Sequence, residues 1–125
     1  MITLGFFESI DNHPKVVFKP NLRSLDTTPS GSIVLTTFNS ADIMTYEAYG
    51  AVLGIMVYSL KEFIIAAKCR VKYAICAYEL APMLQKAADN YLYDTRVLAL
   101  IDDEEAIEKA ARDEIDGVIN TALLG

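Results

Sequence analysis

Two thiols, one imidazole and a scatter of carboxylates are the groups in this 125-residue chain from which chemistry could be built. Cys69 and Cys76 bracket an apolar run, Val71 to Ala77. If that run is a strand, seven residues at about 3.3 Å each set the two cysteines roughly 23 Å apart, so they do not pair within the chain. Two cysteines and the lone His13, which sits beside Pro14 in a turn-rich stretch, have no short spacing of the kind a zinc site needs. Asp102-Asp103 and Glu104-Glu105 place four carboxylates in a row, but acids at the positive start of a helix have a structural explanation. That leaves Cys76 as the candidate catalytic residue. A thiol attacks as its thiolate, and the N-terminus of a helix starting near Tyr78 would favour that form. The nearby Glu79 would oppose it, and burial would make Cys76 a small hydrophobe instead.

Other catalytic signatures are missing. Gly50 and Gly54 lack the third glycine and the strand-before-helix setting of a dinucleotide loop, and neither a Walker loop nor a nucleophile elbow occurs. No cofactor is expected. The net charge of -6 argues against nucleic acid as a partner, since phosphate binding needs clustered Lys and Arg in excess. Lys61, Lys68, Arg70 and Lys72 do cluster locally, and carboxylates gather from Asp102 to Asp116. Solvated helix faces account for both, although surfaces of opposite sign could also meet between subunits. No apolar run reaches the length of a membrane span, and the start at Met1 lacks the pattern of a secretory signal, so a cytoplasmic location away from membranes is expected.

These side chains must be held by a fold, and 125 residues with 53% hydrophobic and 22% charged content are enough for one domain with one core. Residues 1–32 are the least regular, with short apolar runs at Ile2 to Phe7 and Val16 to Phe18 separated by turn residues. The run Thr27-Thr28-Pro29-Ser30-Gly31 reads as a loop, and Ser32 to Phe38 as a strand. Asn39 and Ser40 can cap a helix over Asp42 to Tyr49. Residues 51–58 are ambiguous, but Gly50 and Gly54 favour a buried strand, and the Ser59-x-x-Glu62 spacing then opens a new helix with a capping box.

From Arg70 to Gly117 the pattern is cleaner. A strand from Val71 is followed by Leu80, Met83, Leu84, Ala87, Ala88, Tyr91 and Leu92 at helical spacing, with Pro82 tolerated in the first turn. Arg96 to Ile101 is a second strand, Asp102 with Glu105 repeats the capping-box spacing, and a second helix ends near Asp116-Gly117. Val118-Ile119 begins a last short strand or a tail. Strand starts near 33, 51, 71 and 97, alternating with helices, predict a single α/β domain. Its architecture is a three-layer sandwich with a mainly parallel sheet and helices on both faces, flavodoxin-like or Rossmann-like in the broad sense.

Ligands in such sheets bind beyond the carboxyl ends of the strands. The candidate rim is therefore Thr37, Asn39 and Ser40, then Tyr58 and Ser59, then Cys76, Tyr78 and Glu79, then Asp102 and Asp103. Of these, Asn39, Ser40, Tyr58, Ser59, Tyr78 and Asp102 are the candidate ligand-binding residues. Helix capping is a competing explanation for Asn39, Ser40, Ser59 and Asp102, as is ring packing for the tyrosines.

The ten residues Val71-Lys72-Tyr73-Ala74-Ile75-Cys76-Ala77-Tyr78-Glu79-Leu80 resemble the strand-cysteine-helix segment of DsrE-like proteins. That resemblance implies a small parallel α/β fold, homo-oligomers and, in some members, sulfur relay through the cysteine corresponding to Cys76. The chain departs from the pattern in lacking a glycine soon after the cysteine and in its longer following helix. Two readings stand together. One is a non-enzymatic module that binds a small molecule or assembles as a homo-oligomer, and the other is a sulfur carrier using Cys76. Surplus apolar residues such as Phe6, Phe7 and Tyr93 point to an oligomer in either case.

Overall fold

A computed structural model of the chain describes residues 1–7, 10, 15–19, 22, 31–49 and 52–124. His13, the Asn12-His13-Pro14 turn and most of the Thr27–Gly31 loop lie outside the described residues. The strands are β1 Ile2–Leu4, β2 Val16–Phe18, β3 Ile33–Thr37, β4 Leu53–Met56, β5 Tyr73–Ala77, β6 Arg96–Ile101 and β7 Gly117–Asn120. Among the described residues, α1 Ile43–Tyr49, α2 Leu60–Lys68, α3 Ala81–Tyr91 and α4 Ala106–Arg112 link β3 through β7 in turn. Single turns of 3-10 helix occupy Ser40–Asp42, Tyr78–Leu80 and Thr121–Leu124.

All seven strands are parallel, in the order β1-β7-β6-β5-β4-β3-β2. The single α/β domain with a parallel sheet, Rossmann-like in the broad sense, is the one the sequence implies. Residues 53–56 are the buried strand rather than a helix. At Gly54 an added β-carbon would come within 2.8 Å of Leu35 Cδ2, so a larger residue fits there only if that methyl shifts.

The layering departs from a three-layer sandwich. From β2 to β7 each strand is added on the same side of its predecessor, and right-handed crossovers then carry α1 to α4 to the same face. Tyr46, Phe63, Leu84 and Ala110 of the four helices accordingly share one core with Val34, Ile55, Cys76, Ala99 and Val118 of the sheet. The alternate residues of the strands face the other way. There Leu4, Leu35, Ile75, Leu98 and Ile119 form a second core that the helices do not enter. The sheet covers that face by curling on itself: β2 at one edge touches the 3-10 turn Thr121–Leu124 that leaves β7 near the other. Leu123 and Leu124 of that turn pack into the inner core. The result is a barrel-like curl left open between β1 and β2, and both strand faces are apolar because both are buried.

Three helices end in the same way. Arg70, Leu92 and Glu114, just beyond α2, α3 and α4, have φ of 61°, 55° and 60°. Left-handed residues at this position turn the next amide back onto the last helical carbonyls, as in Val71, Tyr93 and Ile115 donating to Ala66, Ala88 and Ala110. Glycine usually fills this place, and none of the three is glycine.

Candidate functional site

Parallel strands bring all seven carboxyl ends to one end of the sheet, so the candidate rim residues do lie along one edge. Most of their polar atoms are already engaged. Asn39 Oδ1 accepts the Ala41 N–H at 2.9 Å, capping the first 3-10 turn. Its backbone N–H donates to the Tyr46 hydroxyl at 2.7 Å, which in turn donates to the Asn39 carbonyl at 3.0 Å. Ser59 Oγ accepts the Glu62 N–H at 3.2 Å and caps α2. The return bond of the expected capping box is displaced by one residue, with Glu62 Oε1 accepting the Tyr58 N–H at 3.0 Å. Ser40 and Asp102 are exposed, and the Tyr58 side chain projects into solvent at 65% exposure.

The expected role of Asp102 in capping passes to its neighbour. Because β6 runs to Ile101 and a turn follows, α4 starts at Ala106, and the residue three positions earlier is Asp103. Asp103 Oδ1 accepts the Ala106 N–H at 3.2 Å. Among the described residues no hydrogen bond joins any two of Asn39, Ser40, Tyr58, Ser59, Cys76, Tyr78 and Asp102. The rim is a row of separately anchored strand ends.

Cys76 sits on the helix-facing side of β5 and is 1% exposed, within the core shared by all four helices. Burial pushes its thiol up to about 12, far from the range of a reactive thiolate. Cys69 is also buried and free, its thiol raised by burial and by the charge of Glu47. Tyr78 leaves the rim in the same direction. Its hydroxyl donates to Asp113 just beyond α4, and Lys109 Nζ lies 4.6 Å from the ring centre. Burial, with the Asp113 carboxylate as acceptor and neighbouring charge, pushes this phenol up to about 12. Tyr78 therefore ties the end of β5 to α4.

A concavity lies at the opposite end of the sheet. A cleft of about 710 Å³ opens beside the first residues of β1, β5 and β6, lined by Lys72, Tyr73, Arg96, Glu114, Ile115 and Asp116 among others. A chain of bonds fixes one wall. The buried Gln85 of α3 receives its Asp116 N–H bond at 2.8 Å and donates to Asp89 at 3.1 Å. The Asp116 carboxylate accepts the Val97 N–H at 3.0 Å and lies 3.5 Å from Arg96 Nη1. Lys72 Nζ and the half-buried Tyr73 hydroxyl have no hydrogen-bond partner among the described residues, and burial raises the Tyr73 phenol. Sequence reasoning missed this cleft. The available signal was Arg96, a cation opening an otherwise apolar strand next to the Lys72-Tyr73 pair.

No group of three or more His, Cys, Asp and Glu placed to hold a metal occurs among the described residues, and no helix among them is long and apolar enough to cross a membrane. Compared with models of known families and with curated proteins, the chain matches none.

Proposed function

We propose that the chain is a non-enzymatic binding module whose ligand occupies the cleft at the amino ends of β5, β6 and β1. The observation that carries this reading is that Lys72 and Tyr73 line one concavity while neither the Lys72 Nζ nor the Tyr73 hydroxyl has a hydrogen-bond partner among the described residues. Arg96 stands beside them, held by Asp116, whose own position is fixed by Val97 and Gln85. Lys72, Tyr73 and Arg96 on this lining supply donors suited to an acidic group, beside the carboxylates of Glu114 and Asp116, and Ile2, Ala111 and Ile115 offer apolar surface for the rest of a small molecule. The ligand class is thus a small carboxylate or phosphate ester with a short apolar part.

A binding role rather than catalysis is supported by the use to which the other chemical groups are put. Asn39, Ser59 and Asp103 cap helices, Tyr78 braces α4, and Cys76 is sealed in the core. The alternative, sulfur relay through Cys76, finds no support in a thiol so placed.

The test is titration of the isotopically labelled protein with benzoate and with inorganic phosphate, up to about 10 mM to reach weak affinities. Saturable shifts of the Lys72, Tyr73 and Val97 amides that are lost in Lys72→Ala are expected for at least one of the two probes. Shifts confined to other regions, or none for either probe, would overturn the reading.

A further inference from the structure

Helices α2, α3 and α4 connect successive neighbouring strands on one face, so they stand side by side with α3 in the middle. Their exposed surfaces are sorted by charge. From Lys61 to Arg70 three cations face a single carboxylate, Glu62. From Asp102 to Asp113 six carboxylates face two cations, and one of those, Arg112, is already paired with Glu108 at 2.7 Å. The helix between them carries an apolar strip. Met83, Ala87 and Tyr91 recur every four residues and so share one line along α3. Met83 is 54% and Tyr91 66% exposed, and Leu92, at 85%, extends the strip beyond the helix.

We infer that this helix layer is the docking surface for a second copy of the same chain, in a twofold dimer whose axis runs parallel to α3. The charge order selects both the occupant and the symmetry. Face-to-face packing about an axis parallel to α3 lays each basic α2 over the partner's acidic α4, twice over, with the apolar strips meeting at the centre. An axis across α3 lays α2 on α2 and α4 on α4, which sets six carboxylates against six. An isologous interface needs one surface complementary to itself, and a plus-apolar-minus layer satisfies that only in the first arrangement. The cleft of the proposed ligand lies at the strand ends, outside this face, so the two readings stand or fall separately.

Sedimentation and light scattering at micromolar to tens-of-micromolar concentration test it. The wild-type chain should be a dimer. Tyr91→Lys combined with Met83→Glu should give a monomer with an unchanged far-ultraviolet spectrum. Reversing the basic flank alone, by Lys61→Glu with Lys68→Glu, should weaken the dimer at least tenfold. Adding Glu105→Lys and Glu108→Lys in the same chain should restore it, because each flank again meets its opposite. A monomeric wild type, or a dimer indifferent to the strip substitutions, would overturn the proposal. So would a four-site swap that fails to restore assembly while its spectrum and melting remain native, since only the parallel axis pairs unlike flanks.

Discussion

Gly117 opens β7 at the point where the edge strand β1 crosses it, and replacing its hydrogen by a methyl group should detach β1. A β-carbon at this position would lie 2.5 Å from the Ile2 carbonyl oxygen, 2.6 Å from Ile2 Cβ and 2.8 Å from Leu98 Cδ2. Ordinary contact begins near 3.4 Å, so β1 must retreat by about 1 Å, and a backbone oxygen cannot swing aside as a side chain can. β1 has little to resist with. Among the described strands it pairs with β7 alone, over three residues, with the Ile2 N–H donating to the Asp116 carbonyl at 3.1 Å. Its departure would expose Leu4, now 3% accessible, at a cost of about 2 kcal/mol, with about 1 kcal/mol more for weakened ladder bonds. Gly117→Ala should therefore lower the urea-unfolding free energy by about 3 kcal/mol and leave the β1 amides unprotected in hydrogen exchange. Gly54→Ala is the internal comparison. Its nearest contacts are the side-chain methyls Leu35 Cδ2 at 2.8 Å and Ile75 Cδ1 at 3.3 Å, which can shift, so about 1 kcal/mol is expected. In the Leu4→Ala background the Gly117→Ala effect should shrink by about 1 kcal/mol or more, because both changes act through the same docking. A loss below about 1 kcal/mol for Gly117→Ala, or a full loss with the β1 amides still protected, would refute the reasoning.

Asp103→Ala should cost about 1 kcal/mol in thermal or urea unfolding while Asp102→Ala costs almost nothing, since only the former accepts the Ala106 N–H. Tyr78→Phe should cost about 1 kcal/mol at neutral pH by removing the bond to Asp113, and adding Asp113→Asn should bring little further loss. Cys76 should resist iodoacetamide in the native protein at pH 8 and react only after unfolding. Its thiol, raised from 9.0 to about 12 by burial, is neutral in the folded state while the unfolded thiol ionises. Stability from this group is complete below pH 9 and falls as pH rises toward 12, and the alkaline slope should be shallower in Cys76→Ala. Leu92→Gly should be more stable than Leu92→Ala by about 0.5–1 kcal/mol in monomeric conditions, the reverse of their ranking inside a helix, because φ is 55°.

The elements themselves were readable because each carries a local signal. Strands observed to start at residues 33, 53, 73 and 96 were expected near 33, 51, 71 and 97, and Ser59 with Glu62 announced α2. The layering was not readable. Strands apolar on both faces, such as Val97-Leu98-Ala99-Leu100, look the same whether the second face meets helices or the inside of a curled sheet. That choice depends on strand order, and the pairing of Ile2–Leu4 with Gly117–Ile119 is set by shape rather than by any residue pattern. At the rim the sequence left two roles open, because a capping side chain and a ligand-binding one are the same residue types at the same place, and the bonds of Asn39 and Ser59 are capping bonds. The cleft was missed for the opposite reason. Lys72, Arg96 and Asp116 are scattered in sequence, and the shared register of β5, β6 and β7 brings them together.

The open curl also sets an order of events for a chain emerging from the ribosome. Strands β3 to β7 can be laid down one beside the next as they are made, each finding its neighbour already in place. β1 precedes them all, yet its strand partner among the described residues is β7, and the Asn120 side chain reaches back 115 residues to the Gly5 carbonyl. From the emergence of β1 until Gly117–Asn120 follow, β1 lacks its ladder with β7, and the inner core around Leu4 stays open on that side. Closing that long loop late places β1 docking among the slowest steps of folding. It also makes the nascent chain most vulnerable to strand exchange between neighbouring ribosomes at this one edge.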